Sequence, residues 1–394
     1  MKITRRQALA FRLDSHHLAE RLEPGSLSAA AGACGLQNTP PGAAALALHA
    51  RLNNLEAQDV TQALEQDKSL LQAWSLRASP YIFPLDDWTF FTLGLLPEDE
   101  DSTRFFIYAV EAALAKTGVS AMQVVDWVAV ALLDALDGQA LTKDALGVDL
   151  ARRTAAHLSA AQRLAWDSPS WYAAGQSLGE SVVRFALPIM ALKGLCCHGE
   201  RRGEQAYIVR CDQWINHPPK PSDRLQAQAG LVRRYLHCFG PSTPRHFGEW
   251  AGISPNQAAQ AWGRIESELA AVDFEGHQAW LLERDLERMA SPRQAEGVRF
   301  LPPHDPYKAL RDRATLIPDR TLQKTLWKAI GNPGVLLVDG QAAAAWRPSK
   351  KGKRLKLAVD SFEPISGSAW AQIESEGRLL AAFRGCDSVE ITSG

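Results

Sequence analysis

Between residues 224 and 283 the chain runs through an order of signals that few folds accept. RLQAQAGLVRRYLHCFG has helical periodicity and stops at Gly240. Ser242 or Thr243 is placed to cap a second helix, with Pro244 in its first turn, and Gly252 is placed to end it. Ser254-Pro255 then opens SPNQAAQAWGRIESEL, and AVDF, Glu275-Gly276-His277 and AWLL complete a hairpin. Helix, turn, helix and wing in this order predict a winged helix whose recognition helix spans 255–269. That helix carries Arg264 as its only cation and two glutamates, so the module alone is a poor reader of DNA.

The same architecture is expected twice more. Residues 3–22 read as a helix, Ser26 caps a short second one, and 43–52 is helical after the GLQNTPPG break. Asp59 opens a further helix, and LLQAWSL with PYIFP makes a hairpin. Residues 104–211 give a more degenerate copy, with helices near 104–117, 120–136, 143–157 and 176–195. CCHGERRGEQAYIVR then forms a hairpin turning at Gly199 to Gly203. PEDED (97–101) and PPKPSD (218–223) have the composition of linkers. From about residue 296 strands take over: VRFLPPHDPY, then VLLVDGQAAAAWRP around an Asp339-Gly340 turn, then KRLKLAVDSF, closed by a helix from Ser368 to Phe383. The expected fold is mainly α with β (α+β): winged helices over 1–100, 101–217 and 223–290, then a C-terminal β-rich domain over 296–394.

Charge narrows the function. Forty-three Lys and Arg against 44 Asp and Glu leave a net charge of −1, which excludes polyanion binding by bulk charge. A nucleic-acid contact has to come from a local basic face. Arg347, Lys350, Lys351, Lys353, Arg354 and Lys356 offer one on a predicted hairpin, either as a phosphate-gripping finger or as a solvated turn. Arg5, Arg6, Arg12, Arg201 and Arg202 are weaker phosphate candidates. Six dispersed cysteines with no CxxC indicate neither a disulfide framework nor a metal site, and Cys196, Cys197 and His198 read as packing and a turn. His16-His17 read as helix surface, and Trp74, Tyr81 and Trp88 as core or wing-base residues and not base-stacking platforms. A charged start without an apolar run, and no uninterrupted apolar span, point to a cytoplasmic chain with no membrane partner.

Three stretches in this order, GLQNTPPGAAALALHARL, LVRRYLHCFGPSTPRHFGEWAGIS, and LPPHDPYKALRDRATLIP with LLVDGQAAAAWR, resemble the AlkZ/YcaQ family of winged-helix DNA glycosylases, which unhook bulky or cross-linked alkylated bases. The resemblance implies a nucleoid-associated monomer that binds duplex DNA, damaged or distorted, with no cofactor and no metal. Its catalytic signature is Gln, any residue, then Gln or Asp, before a Pro and small residues. Gln37 matches the first position and Thr39 stands at the second. A second family segment, commonly Arg-Gly-Thr-x-His, reads Arg77-Ala78-Ser79-Pro80-Tyr81, retaining Arg77 as a DNA contact and placing Tyr81 where a His is usual. The resemblance also brings His304 and Asp305 to the cleft.

The chemistry is compatible with these residues. An N7-alkylated purine is cationic and already a good leaving group, so hydrolysis needs a positioned water and shelter for an oxocarbenium-like sugar. The Gln37 carbonyl and the Thr39 hydroxyl can both accept a hydrogen bond from that water. Asp86 or Asp87 offers an alternative base, and no lysine near the motif supports Schiff-base lyase chemistry. The plain alternative for Gln37, Asn38 and Thr39 is a turn that caps the following helix. Two other functions fit the same elements: a non-catalytic winged-helix DNA-binding or regulatory protein, and a protein-interaction module.

Overall fold

A computed structural model describes residues 1–203, 205–215, 223–328 and 330–393. Helices and three sheets alternate in an α+β architecture with its β-rich part at the C-terminal end, as expected. Residues 218–222 of the expected PPKPSD linker lie outside the described residues. The chain forms two compact units, each assembled from separated stretches. Met1–Ala63, Val232–Trp250 and Ile265–Gly394 make the first; Leu64–Leu231 and Ala251–Arg264 make the second. No single helix among the described residues is long and apolar enough to cross a bilayer.

In the first unit, Thr4 and Gln7 form a capping box at the start of the helix Arg5–Ser15. That helix ends at Ser15, not near residue 22, because His17 adopts a left-handed φ of 56° and the Leu18 N–H returns to the Leu13 carbonyl at 2.8 Å. Ala8 and Phe11 pack with Ile3, Val272, Leu281 and Met289. Lys2–Ile3 lies parallel to Leu269–Phe274, which pairs antiparallel with His277–Leu282, so the predicted wing gains a third strand from the first residues of the chain. The helices Arg224–Phe239, Pro244–Ala251 and Pro255–Gly263 occur in the predicted order, the last of them assigned to the second unit. Thr243, not Ser242, caps the second, accepting from the His246 N–H at 3.2 Å. The third stops short of residue 269: Ile265 is fully buried and a 3-10 turn, Glu266–Glu268, leads into the strand.

Four antiparallel strands, Val298–Leu301, Gly334–Val338, Gln341–Lys351 and Arg354–Ser361, build the predicted meander. Asp339 and Gly340, at φ 46° and 75°, make the predicted two-residue turn. Ser366 caps the helix Gly367–Phe383, which carries the chain to an unpredicted fifth strand, Ser388–Ser393, parallel to Arg354–Ser361. Phe300, Trp346, Leu357, Ile373 and Leu380 fill the space between helix and sheet.

The second unit packs Ala121–Ala135, Lys143–Thr154 and Leu178–Leu192 with strands in the order Pro80–Pro84, Leu70–Trp74, Cys196–Arg202, Gln205–Arg210, Leu141–Thr142. PEDED is not a linker here. Asp99 caps Glu100–Phe106, and the Glu100 carboxylate accepts from the Ala121 and Met122 N–H groups at 2.9 Å, at the positive end of the next helix. Gly199 is not at the hairpin turn; it sits inside its strand beside a bulge, where a Cβ would meet Val209 at 2.9 Å. Cys196, Cys197 and His198 are buried strand residues, with the His198 ring 4.5 Å from Trp74.

Candidate functional site

The signature loop follows the two-residue strand Leu36–Gln37. Leu36 and Asn38 are buried, Gln37 is half-buried and Thr39 is exposed, so alternate residues face opposite ways, as extended backbone requires. The Asn38 Oδ1 accepts from the Gly42 N–H at 2.8 Å and the Ala44 N–H at 3.3 Å, capping the helix Ala43–His49. Capping therefore falls to Asn38, which separates it from the two residues on either side. Gly42, at φ 91°, makes the turn into the helix, and the Thr39–Pro40 peptide is cis.

The far end of that helix is tied down by charge. Arg51, fully enclosed, donates two hydrogen bonds to the Asp305 carboxylate at 2.8 and 2.9 Å and a third to the Ala47 carbonyl at 2.8 Å. Asp305 also accepts from the Tyr307 N–H at 2.9 Å. Asp305 is thus a clamp inside the protein and has no surface to offer a cleft, whereas His304 beside it is half-buried at φ 60°. Lys308 is enclosed too, its amine held by the Asn332 Oδ1 at 3.0 Å and the Pro333 carbonyl, and burial pulls it down to about 8.

A groove of about 1000 Å³ opens where the loop ends. Its wall begins at Pro40, Pro41 and Gly42, the residues after Thr39, and continues through Leu52, Pro303, Phe383 and Pro348, all within the first unit. His49 lines it with its ring 4.7 Å from Phe383, and burial lowers its pKa from 6.5 to about 4, so it is neutral there near pH 7. Arg21 also lines it, held by the Glu376 carboxylate.

Pro348 belongs to the cationic hairpin. Arg347 pairs with Asp360 at 2.8 Å, Arg354 with Glu390 at 2.6 Å and Lys356 with Glu390 at 3.6 Å, while the Lys350 amine donates to the Arg384 carbonyl at 2.7 Å. Lys351 and Lys353 sit at and beside the Gly352 turn, exposed and with no ion pair among the described residues. The hairpin thus presents two uncommitted cations at its tip and partly neutralised ones along its stem.

Other candidates are placed elsewhere. In the second unit, Arg77 sits at φ 54° in the turn of the Leu70–Pro84 hairpin and donates to the Tyr81 hydroxyl at 2.5 Å; Tyr81 itself is buried. A Cβ on Gly252 would come within 2.8 Å of the Arg77 Cα. Asp86 is exposed and Asp87 half-buried in a 3-10 turn of that unit. The first-helix arginines are structural where the geometry reaches them. Arg12 is buried, paired with Asp312 at 2.8 Å and bonded to the Gly240 and Pro241 carbonyls, and Arg5 donates to the Thr315 carbonyl at 2.7 Å. Along the predicted recognition helix, the Gln257 amide is spent on the Leu95 carbonyl at 3.0 Å. His16, read as surface, is fully buried. The sequence reading overlooked Arg51; its place at the end of HARL, just past the last turn of the helix after the signature, was the available signal.

The family described as DNA glycosylase AlkZ-like matches residues 30–383. An interstrand DNA cross-link repair glycosylase from Streptomyces sahachiroi is 25% identical, with 99% of each chain covered. The solved structure of Streptomyces sahachiroi DNA glycosylase AlkZ superposes with a TM-score of 0.79 at 22% identity over 100% of both chains, which is a likeness of fold. The matched residues include the signature loop, Arg51 and Asp305, and the chain belongs to the AlkZ-like DNA glycosylase family.

Proposed function

We propose that the protein is a monofunctional glycosylase that hydrolyses the N-glycosidic bond of N7-alkylated or cross-linked purines in duplex DNA, acting as a cytoplasmic, nucleoid-associated monomer. The observation that carries this reading is the groove: one wall continues directly from Gln37-x-Thr39, and another contains Pro348 of the cationic hairpin. An extended backbone that turns Asn38 inward leaves Gln37 and Thr39 to share one side of the loop, where a water can donate a hydrogen bond to each. That water attacks C1′ of the sugar as the neutral purine departs, and its proton passes to solvent. Both residues are uncharged, which suits a leaving group that already carries the positive charge. In this reading Lys351 and Lys353 grip phosphates, and the winged-helix segments 1–100, 101–217 and 223–290 carry the duplex.

The test uses duplex DNA containing N7-methylguanine, and a second duplex with a purine interstrand cross-link, scored for abasic sites. Wild-type protein yields abasic product, and Gln37→Ala lowers the single-turnover rate by about 100-fold, a typical loss for one positioning group at a reacting centre. Tight, salt-sensitive binding without product from wild type would replace this reading with a non-catalytic DNA-binding protein. Absence of both binding and product would leave a protein-interaction module.

A further inference from the structure

Away from the groove, three soft donors from distant parts of the sequence converge inside the first unit. His16 closes the helix Arg5–Ser15, Cys34 lies three residues before Gln37, and Cys238 is in the last turn of Arg224–Phe239. All three are buried, at 0%, 2% and 0% exposure, and one donor atom from each lies within 4.8 Å of the others. The His16 Nδ1 is 3.7 Å from the Cys34 Sγ. Metal bonds of ~2.05 Å to nitrogen and ~2.3 Å to sulfur at a tetrahedral angle put the two donors about 3.6 Å apart, so this pair is spaced as one edge of a zinc polyhedron. Cys34 and Cys238 are hydrogen-bonded to each other, and the Cys238 Sγ is 3.2 Å from the Ala33 carbonyl.

The charge balance also suits a cation. Two thiolates and a neutral imidazole around a divalent ion sum to zero, the condition under which charged groups tolerate full burial. The neighbouring guanidiniums are already matched, Arg51 by Asp305 and Arg12 by Asp312. Without an ion, the imidazole has the Cys34 thiol as its polar contact at Nδ1, while its Nε2 is buried with no hydrogen-bond partner, and the rings of Phe239 and Tyr307 hold its faces.

We propose that His16, Cys34 and Cys238 bind one thiophilic divalent cation, Zn²⁺, with the Ala33 carbonyl or a water in the fourth position. Binding releases the two thiol protons and ties together the first helix, the turn leading into the signature loop and the helix Arg224–Phe239. The ion is structural: it stiffens the approach to Gln37 and takes no part in the reaction.

The experiment loads the full-length reduced protein with Zn²⁺ or Co²⁺, removes excess and measures bound metal. One equivalent is expected, with thiolate-to-cobalt charge-transfer bands, and both are lost in Cys238→Ser and in Cys34→Ala. Should those variants not fold, the wild type alone decides. Zn²⁺ slows alkylation of Cys34 and Cys238, mapped by mass spectrometry, and leaves Cys196, Cys197 and Cys211 unchanged. Sub-stoichiometric uptake, uptake retained in folded cysteine variants, or alkylation indifferent to zinc would overturn the site. So would a Cys34–Cys238 disulfide formed on oxidation by a reduced protein that takes up no zinc.

Discussion

Arg51 and Asp305 are enclosed together, so removing one leaves the other charged and unmatched in a medium that solvates it poorly. Arg51→Met and Asp305→Asn should each destabilise the protein by about 3–5 kcal/mol. The double variant Arg51→Met/Asp305→Leu should recover much of that loss, because an apolar pair of similar volume escapes the desolvation penalty; urea denaturation of the three variants measures it. Equal loss in the double and single variants would show that the hydrogen bonds to Ala47 and Tyr307 matter more than the charge match. At this scale the loop around Gln37 could be singled out because the signature is contiguous and its neighbours are punctuated by proline and glycine. Arg51–Asp305 was half legible: 254 residues separate the partners, so the carboxylate could be singled out but its burial could not. The His16, Cys34 and Cys238 cluster was invisible for the same reason, since no spacing rule connects residues that only tertiary packing brings within reach.

Among the elements, the hairpin Cys196–Arg210 of the second unit offers a titration. His198 is buried in the strand Cys196–Arg202, and burial lowers its pKa from 6.5 to about 4, with a hydrogen bond to the Gln72 backbone opposing. The folded state therefore binds fewer protons than the unfolded chain between those values. Stability contributed by neutral His198 is complete above pH 6.5 and falls by about 1.4 kcal/mol per pH unit down to about pH 4. His49 titrates over the same window, so unfolding free energies from urea denaturation at a series of pH values should fall with pH in the wild type, and less steeply, by about that one-proton slope, in His198→Gln. Elements with strong local punctuation were the readable ones: Gly252 and Ser254-Pro255 around the helix Pro255–Gly263, and Asp339-Gly340 in the meander. Lys2–Ile3 and Ser388–Ser393 were not read. Each is a strand only because a distant partner, Leu269–Phe274 or Arg354–Ser361, supplies the hydrogen bonds. PEDED misled for the converse reason, since Asp99 caps a helix and Glu100 binds a neighbouring helix N-terminus.

For the molecule as a whole, a net charge of −1 means that DNA affinity rests on local cations. Lys351→Glu/Lys353→Glu should flatten the dependence of log affinity on log salt by about two, near 0.9 per lost phosphate contact. Arg354→Glu should change the slope less, because Glu390 already neutralises that side chain. Fluorescence anisotropy with an undamaged duplex between low and moderate salt measures both; an unchanged slope in the double variant would remove the hairpin from the interface. The α+β class and its C-terminal sheet were legible from the order of periodicities. The two compact units were not, because each is closed by segments that the sequence places far apart.

That discontinuity shapes how the protein is made. Lys2 and Ile3 leave the ribosome well before Leu269–Phe274, the strand that pairs with them. At ~5–20 residues per second, the amino-terminal segment waits on the order of tens of seconds for its partner. The helix Arg5–Ser15 is exposed over that interval with Ala8 and Phe11 uncovered, so a slow codon run before residue 269 prolongs the nascent chain's exposure to chaperones and proteases more than one placed after it.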